Sequence, residues 1–277
     1  MRRLFWTTAE LHQRGFARTT ITGMVDTGRL IPIRQGLWAE PGAPDELVRA
    51  ARAGGAATAT TGAAALGLWA PDDGITHLAV PAGASRLRDP DDASLPLVQG
   101  DGVCVHWTKR MPSPRTLPDR IAPLLLVLEH AVRCLRPELA VAIIDSALHQ
   151  RRLRASELPL LAASLPARLR HIVLAADGRA DSGLESIVRY LLEQSGIPLL
   201  VHPILAGIGE VDLLVGGRLI IETDGKRYHL GAAFEHDRQR DLTATIDGYR
   251  TLRLTYAQVL FEWPATFRAI CSALALA

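Results

Sequence analysis

A multidomain α/β protein is predicted by three features of this 277-residue sequence. The first 40 residues read helix, turn, helix and strand pair. The stretch 45–179 sets apolar helical stripes around two short strands, and from residue 180 onward helices and strands alternate. The length allows about two domains at the usual 100–200 residues each, and 48% hydrophobic with 22% charged residues permits a sizeable core. The longest apolar run, "IAPLLLVL" from Ile121 to Leu128, is far shorter than the ~20 residues of a membrane helix. The opening "MRRLFWTTAE" lacks the apolar stretch of a secretion signal, so a cytoplasmic protein without membrane association is expected. Cys104, Cys134 and Cys271 make no C-x-x-C pair and the histidines no H-x-x-x-H pair, which argues against a disulfide framework or zinc ribbon and places the cysteines in the core.

Thr7 or Thr8 can cap a first helix running to Gln13, with Gly15 at its end. Thr19 or Thr20 can cap a second, whose buried stripe is Ile21, Met24, Val25 and Leu30. "IPIRQGLWAE" then makes a strand pair about Gln35-Gly36. This is the order of a winged helix-turn-helix, in which the second helix enters the major groove and the wing lies on the backbone. Arg18, Thr20, Thr22, Arg29 and Arg34 are therefore the expected contacts to double-stranded DNA. A net charge of +2 is uninformative, but residues 1–40 hold six arginines against Glu10, Asp26 and Glu40, a local +3. The same small fold also serves protein contacts, which is the alternative.

"AEPGAP", Ala39 to Pro44, closes this first domain, 1–44. The α+β region 45–179 holds an Ala-rich helix, the strands "THLAVP" and "VCVHWTK", and a helical block from Asp119 to about Ala163 in which Pro137 restarts the helix. Asp145, alone on an amphipathic helix there, reads as a solvated charge, with a buried polar anchor as the alternative. No chemistry is assigned to this region. From 180 to 277 an α/β domain is expected, with the helix "SGLESIVRYLLEQSG", a strand near "LLVHPIL", the strand pair "GEVDLLVGGRLIIETDG", a helix through "FEHDRQRDLTATIDG", the strand "YRTLRLT" and a closing helix from Ala257.

The chemistry concentrates on that strand pair. Side chains alternate along a strand, so a two-residue loop at Gly216-Gly217 sends Asp212 and Glu222 to opposite faces. A three-residue loop, Gly216 to Arg218, sets them opposite one another. Neighbouring carboxylates repel unless a cation lies between them, and oxygen-only ligands suit Mg²⁺ or Mn²⁺ beside a phosphate substrate. Asp212, Glu222 and Asp224 form the acidic cluster, with Lys226 and His229 on the following turn to orient water or neutralise the phosphorane. Glu185 is the upstream acid, although Ser182-x-x-Glu185 is also the spacing of a capping box. Strand-edge charge that discourages strand pairing is the other reading of the hairpin acids. His202, before Pro203, reads as a structural histidine of the preceding strand, with approach to the acids as the alternative. Asp237, Arg238, Arg240 and Asp241 read as ion pairs within one helix, with a DNA phosphate contact by Arg238 or Arg240 as the alternative.

The ordered series "SGLE", "GIP", "EVDLLV", "IIETDGKRYH", "DRQRD" and "GYRTLRLT", over roughly 180–277, resembles the very-short-patch-repair-like (Vsr-like) nuclease family of the PD-(D/E)XK superfamily. The resemblance implies a restriction-endonuclease-like α/β domain with a mixed sheet, a metal site from Glu185, Asp212 and Glu222, and hydrolysis of DNA phosphodiesters. The superfamily pattern has lysine two residues after the glutamate; here Asp224 stands there and Lys226 follows. The front of the chain, "TTAELHQRGFARTTITGMVDTGRLIPIRQGLW" followed by "TGAAALGLW", is similar to the winged-helix region of type IV toxin-antitoxin (AbiEi-like) antitoxins. That likeness implies duplex DNA binding and is compatible with a toxin or other protein partner. The expectation is a winged-helix-targeted, Mg²⁺-dependent or Mn²⁺-dependent DNA endonuclease. The alternative is a DNA-binding regulator or antitoxin whose nuclease-like domain is inactive.

Overall fold

Mixed α/β architecture is present in the computed structural model, which describes residues 3–98, 100, 102–117, 119–223 and 242–275 and falls into two units, 1–134 and 135–277. The first unit begins with β1 (Phe5–Thr7), α1 (Thr8–Gln13), α2 (Arg18–Asp26), β2 (Ile31–Arg34) and β3 (Leu37–Ala39), with the strands ordered β1-β3-β2. Thr7 caps α1 in a reciprocal box with Glu10, and Gly15, at φ +86°, turns the chain after it. The cap of α2 is Ala17, without a side-chain bond, so Thr19 and Thr20 lie inside its first turn rather than at the expected cap. Trp6, Leu11, Ile21 and Leu30 form the core beneath the two helices, with Met24 and Val25 half-buried against it. The three-residue β1 is too short to leave a periodic signature and is absent from the sequence-based expectation.

The same unit continues with α3 (Asp45–Ala53), β4 (Ala56–Ala57), α4 (Ala59–Ala65), β5 (Thr76–Pro81), β6 (Val103–Thr108) and α5 (Leu124–Cys134). The sheet order is β4-β5-β6, with β5 and β6 parallel. Across residues 44 and 45 the packing is continuous, with Phe5, Ile33, Leu37 and Ala39 sharing one apolar cluster with Leu47, Val48, Leu78 and Val80. Helix α4 packs closely through Gly62, where a Cβ would sit 2.9 Å from the Ala57 carbonyl oxygen and 3.0 Å from Val127 Cγ2. Overpacking of about 1–3 kcal/mol outweighs the ~1 kcal/mol gain in helix propensity, since a backbone oxygen yields little. Gly62→Ala is thus expected to lower the urea midpoint, and an unchanged or higher midpoint contradicts that packing.

The second unit starts earlier than residue 180. It contains α6 (Pro137–His149), α7 (Leu158–Ala163), α8 (Arg170–Leu174) and α9 (Gly183–Gln194). Helix α6 lies against α9, and between them Asp145, fully buried, pairs with the Arg189 guanidinium at 2.9 Å. Asp145 is therefore a buried anchor, contrary to the solvated charge expected; its partner lies 44 residues away and leaves no local pattern. The strands are β7 (Leu199–Val201), β8 (Ile204–Leu205), β9 (Gly209–Glu210), β10 (Leu213–Val215), β11 (Leu219–Thr223) and β12 (Arg250–Leu254), followed by α10 (Tyr256–Leu260) and α11 (Trp263–Ala275). The main sheet runs β12-β11-β10-β7, parallel only between β11 and β12, so it is mixed. Apolar residues run continuously through Leu213–Val215 of β10 and Leu219–Ile221 of β11 because both faces are buried there. One face carries Leu214 and Ile220 against Ala244 of the helical segment 242–246. The single expected closing helix is two.

Candidate functional site

The three-residue connection is the one present: Leu213 pairs with Ile221, Leu214 with Ile220 and Val215 with Leu219. Continued by one residue, that register brings Asp212, in the bend just before β10, level with Glu222. Asp212 Oδ2 accepts the Thr223 backbone N–H at 2.9 Å and faces its hydroxyl at 3.4 Å. Glu222 is paired in register with Arg253 on β12, whose Nε lies 3.3 Å from Glu222 Oε2.

Glu185 approaches from α9. Ser182 Oγ accepts the Glu185 N–H at 3.2 Å, which is half of a capping box. The returning half is diverted, because Glu185 Oε2 accepts the Asp181 N–H at 3.0 Å and His202 Nε2 donates to the same oxygen at 2.7 Å. His202 holds a left-handed backbone, φ +51°, just after β7, and its N–H donates to the Asp212 carbonyl at 3.0 Å. His202 thus links the Glu185 carboxylate to the Asp212 backbone. Its other nitrogen, Nδ1, lies 2.9 Å from Glu210 and 3.9 Å from Asp181. Burial disfavours the His202 cation, but the Glu185 hydrogen bond and the charges of Glu185, Asp181 and Glu210 outweigh it and hold its pKa above the usual histidine value. Of the two sequence readings of this histidine, approach to the acids is the one realised, and it depends on the bend between β7 and β8 rather than on strand alternation.

The acids fit a hard divalent ion in type, yet Glu185 is engaged by His202 and Glu222 by Arg253, and the three acids do not gather their ligand oxygens within 4.8 Å. Asp224, Lys226, His229 and the Asp237–Asp241 run lie outside the described residues. No protein-family model and no curated protein matches this chain.

In the first unit Arg18, Thr20, Thr22 and Arg29 are all exposed, on or just after α2, while Ile21 faces the core. Thr22 Oγ bonds back to the Arg18 carbonyl at 3.1 Å. Arg34 departs from that surface. Its guanidinium lies over Gly54, where any Cβ would collide with it. Two more of the basic residues are used internally, since Arg3 and Arg14 sit over the Trp6 ring at 4.7 and 4.0 Å and Arg3 also pairs with Glu10. The basic footprint available to a ligand is therefore narrower than the count of arginines suggests.

A second constellation in this unit was not foreseen. His77, Cys104 and His106 bring their ligand atoms within 4.8 Å of one another and could hold a metal ion. His106 is stacked on His130, with centroids 4.5 Å apart and 16° between the planes. Burial first, then His130 and His77, push the His106 pKa down to about 3. The expectation that the cysteines are core residues fails, as Cys104 and Cys271 are half-buried and Cys134 is exposed. One signal was available: Cys104-x-His106 on a strand puts both side chains on one face. Among the described residues no helix is long and apolar enough to cross a membrane.

Proposed function

We propose that the protein is a DNA-binding, divalent-metal-dependent endonuclease, with the exposed face of α2 contacting the duplex and the sheet end around Asp212 cutting it. The observation that carries this reading is the hairpin register, which sets Asp212 opposite Glu222, together with the His202 link from the Asp212 backbone to Glu185. Mg²⁺ or Mn²⁺ held by Glu185, Asp212 and Glu222 would supply an activated water and charge neutralisation at the phosphate. The chain's own part is to fix Asp212 against the strand end through Thr223 and to hold Glu185, nearly buried, at the start of α9. His202 and Arg253, which now occupy two of the acids, must turn aside when an ion enters. The test is incubation of the full chain with supercoiled, linear, mismatched and single-stranded DNA in Mg²⁺ or Mn²⁺. Metal-dependent cleavage is expected, and inactivity on all four substrates sinks the reading.

Those same pairs, His202–Glu185 and Arg253–Glu222, favour a second reading, a DNA-binding regulator or antitoxin whose nuclease-like unit has lost catalysis and binds a protein partner. Both readings need duplex binding through α2. Affinity for short duplexes should fall as salt rises, and Arg18→Ala and Arg29→Ala should each flatten the log–log slope by about 0.9 for every phosphate left unneutralised. Arg34→Ala, whose guanidinium is turned to Gly54, should change that slope least. Salt-independent binding counts against both.

A further inference from the structure

We propose that His77, Cys104, His106 and Cys134 form a structural zinc site in the first unit, independent of the acidic constellation. The parallel pairing of β5 and β6 sets His77 beside Cys104, and His106 follows two residues on along the same face of β6. Cys134, the last residue of α5, comes to the same point, with Sγ 3.9 Å from His77 Nδ1. Within the His77, Cys104 and His106 group, His77 Nδ1 lies 3.1 Å from His106 Nε2 and Cys104 Sγ lies 3.5 Å from His106 Nε2.

Those lengths are three of the six edges of a coordination tetrahedron; His77, Cys104 and His106 already gather within 4.8 Å of one another, and Cys134 stands just outside that group as the fourth ligand. With Zn–N near 2.05 Å and Zn–S near 2.3 Å, tetrahedral geometry requires N···N of about 3.3 Å and N···S of about 3.5 Å. Two of the separations meet these values to within about 0.2 Å, and Cys134, 3.9 Å from His77 Nδ1 but outside the 4.8 Å group, closes the tetrahedron by turning its exposed side chain to another χ1 rotamer. Two thiolates and two imidazoles select a zinc-class ion over Mg²⁺.

The surroundings are built for the task. His77 Nε2 donates to Asp73 Oδ2 at 3.0 Å, which directs the Nδ1 lone pair inward, the carboxylate–histidine–metal relation. Asp73 is fixed in turn by the Thr60 hydroxyl at 3.0 Å and the Ile75 N–H at 3.0 Å, and the His77 N–H is held by Thr61 Oγ at 2.8 Å. His130 is a wall, its Nδ1 engaged by Thr58 Oγ at 2.8 Å while its ring stacks on His106. Four protein ligands leave no open position, so the ion ties β5 and β6 to the end of α5 and does no chemistry.

The full chain purified without chelator should contain about one zinc per molecule by elemental analysis. Exchange with Co²⁺ should give the visible bands of a tetrahedral ion together with a thiolate charge-transfer band. Cys134→Ser, a change at an exposed side chain, should weaken that band and lower zinc affinity more than about tenfold, and Asp73→Asn should lower affinity about 10–100-fold. Cys271→Ser should leave spectrum and affinity unchanged, and Asp212→Ala should keep its zinc whether or not DNA is cleaved. A folded wild-type chain with no zinc and no cobalt spectrum overturns the site, and so does a cobalt spectrum indifferent to Cys134→Ser.

Discussion

Asp145→Ala is expected to destabilise the 135–277 unit by about 3–5 kcal/mol, read as a lower urea midpoint with an unchanged slope. The reason lies in what remains. Asp145 accepts from the Asp177 N–H at 2.6 Å and from Arg189 Nη2 at 2.9 Å, and both side chains of the pair are almost wholly buried. Removing the carboxylate strands a buried guanidinium, whose remaining partners are the Ala175 carbonyl at 3.0 Å and Glu193 at 2.6 Å. Against a typical domain stability of about 5–15 kcal/mol, that destabilisation brings the unit close to unfolding. Asp145→Ala combined with Arg189→Met should recover most of the stability, because the desolvation of both charges then disappears. A double variant as unstable as the single would show that the pair does more than neutralise itself.

The same carboxyl gives a pH signature. Burial raises the Asp145 pKa to about 6 despite the opposing charge of Arg189. The folded state then binds a proton more tightly than the unfolded chain between about pH 4 and pH 6, so this group's contribution to stability falls as pH rises through that window. Wild type should show the extra downward slope there and Asp145→Asn should lack it. Parallel pH profiles for the two proteins would rule out the raised pKa.

What the sequence revealed of the fold follows the range of the forces involved. A threonine cap at Thr7 or Thr8, Pro137 at a helix start and the Ile21–Leu30 stripe act within a few residues, and all three are legible in order along the chain. The hairpin parity was reducible to one question, loop length, which the register answers. Asp145–Arg189, His202–Glu185 and the His77–Cys104–His106 group join residues 17 to 44 positions apart or on separate strands. No local period records such meetings, because they are set by which helix packs on which and which strands become neighbours. The cysteines illustrate the point: residue type alone reads them as core, whereas the parallel pairing of β5 with β6 decides what Cys104 touches.

At the acidic site, Asp212→Asn should reduce metal-dependent cleavage at least about 100-fold, equivalent to about 2.7 kcal/mol of transition-state stabilisation, while leaving stability nearly unchanged. Asparagine is the informative replacement because Asp212 has two tasks. Its Oδ2 accepts the Thr223 N–H at 2.9 Å, which ties the start of β10 to the end of β11, and the amide oxygen of asparagine can take that bond over. What asparagine lacks is the charge that would hold Mg²⁺ beside Glu222. Asp212→Ala removes both, so it should lose cleavage to the same extent and also about 1 kcal/mol or more of stability from the unsatisfied N–H. The difference between the two variants separates the strand-end hydrogen bond from the metal-binding charge. If Asp212→Asn cuts DNA as well as wild type, Asp212 is a structural residue of the hairpin and the metal reading of this sheet end fails.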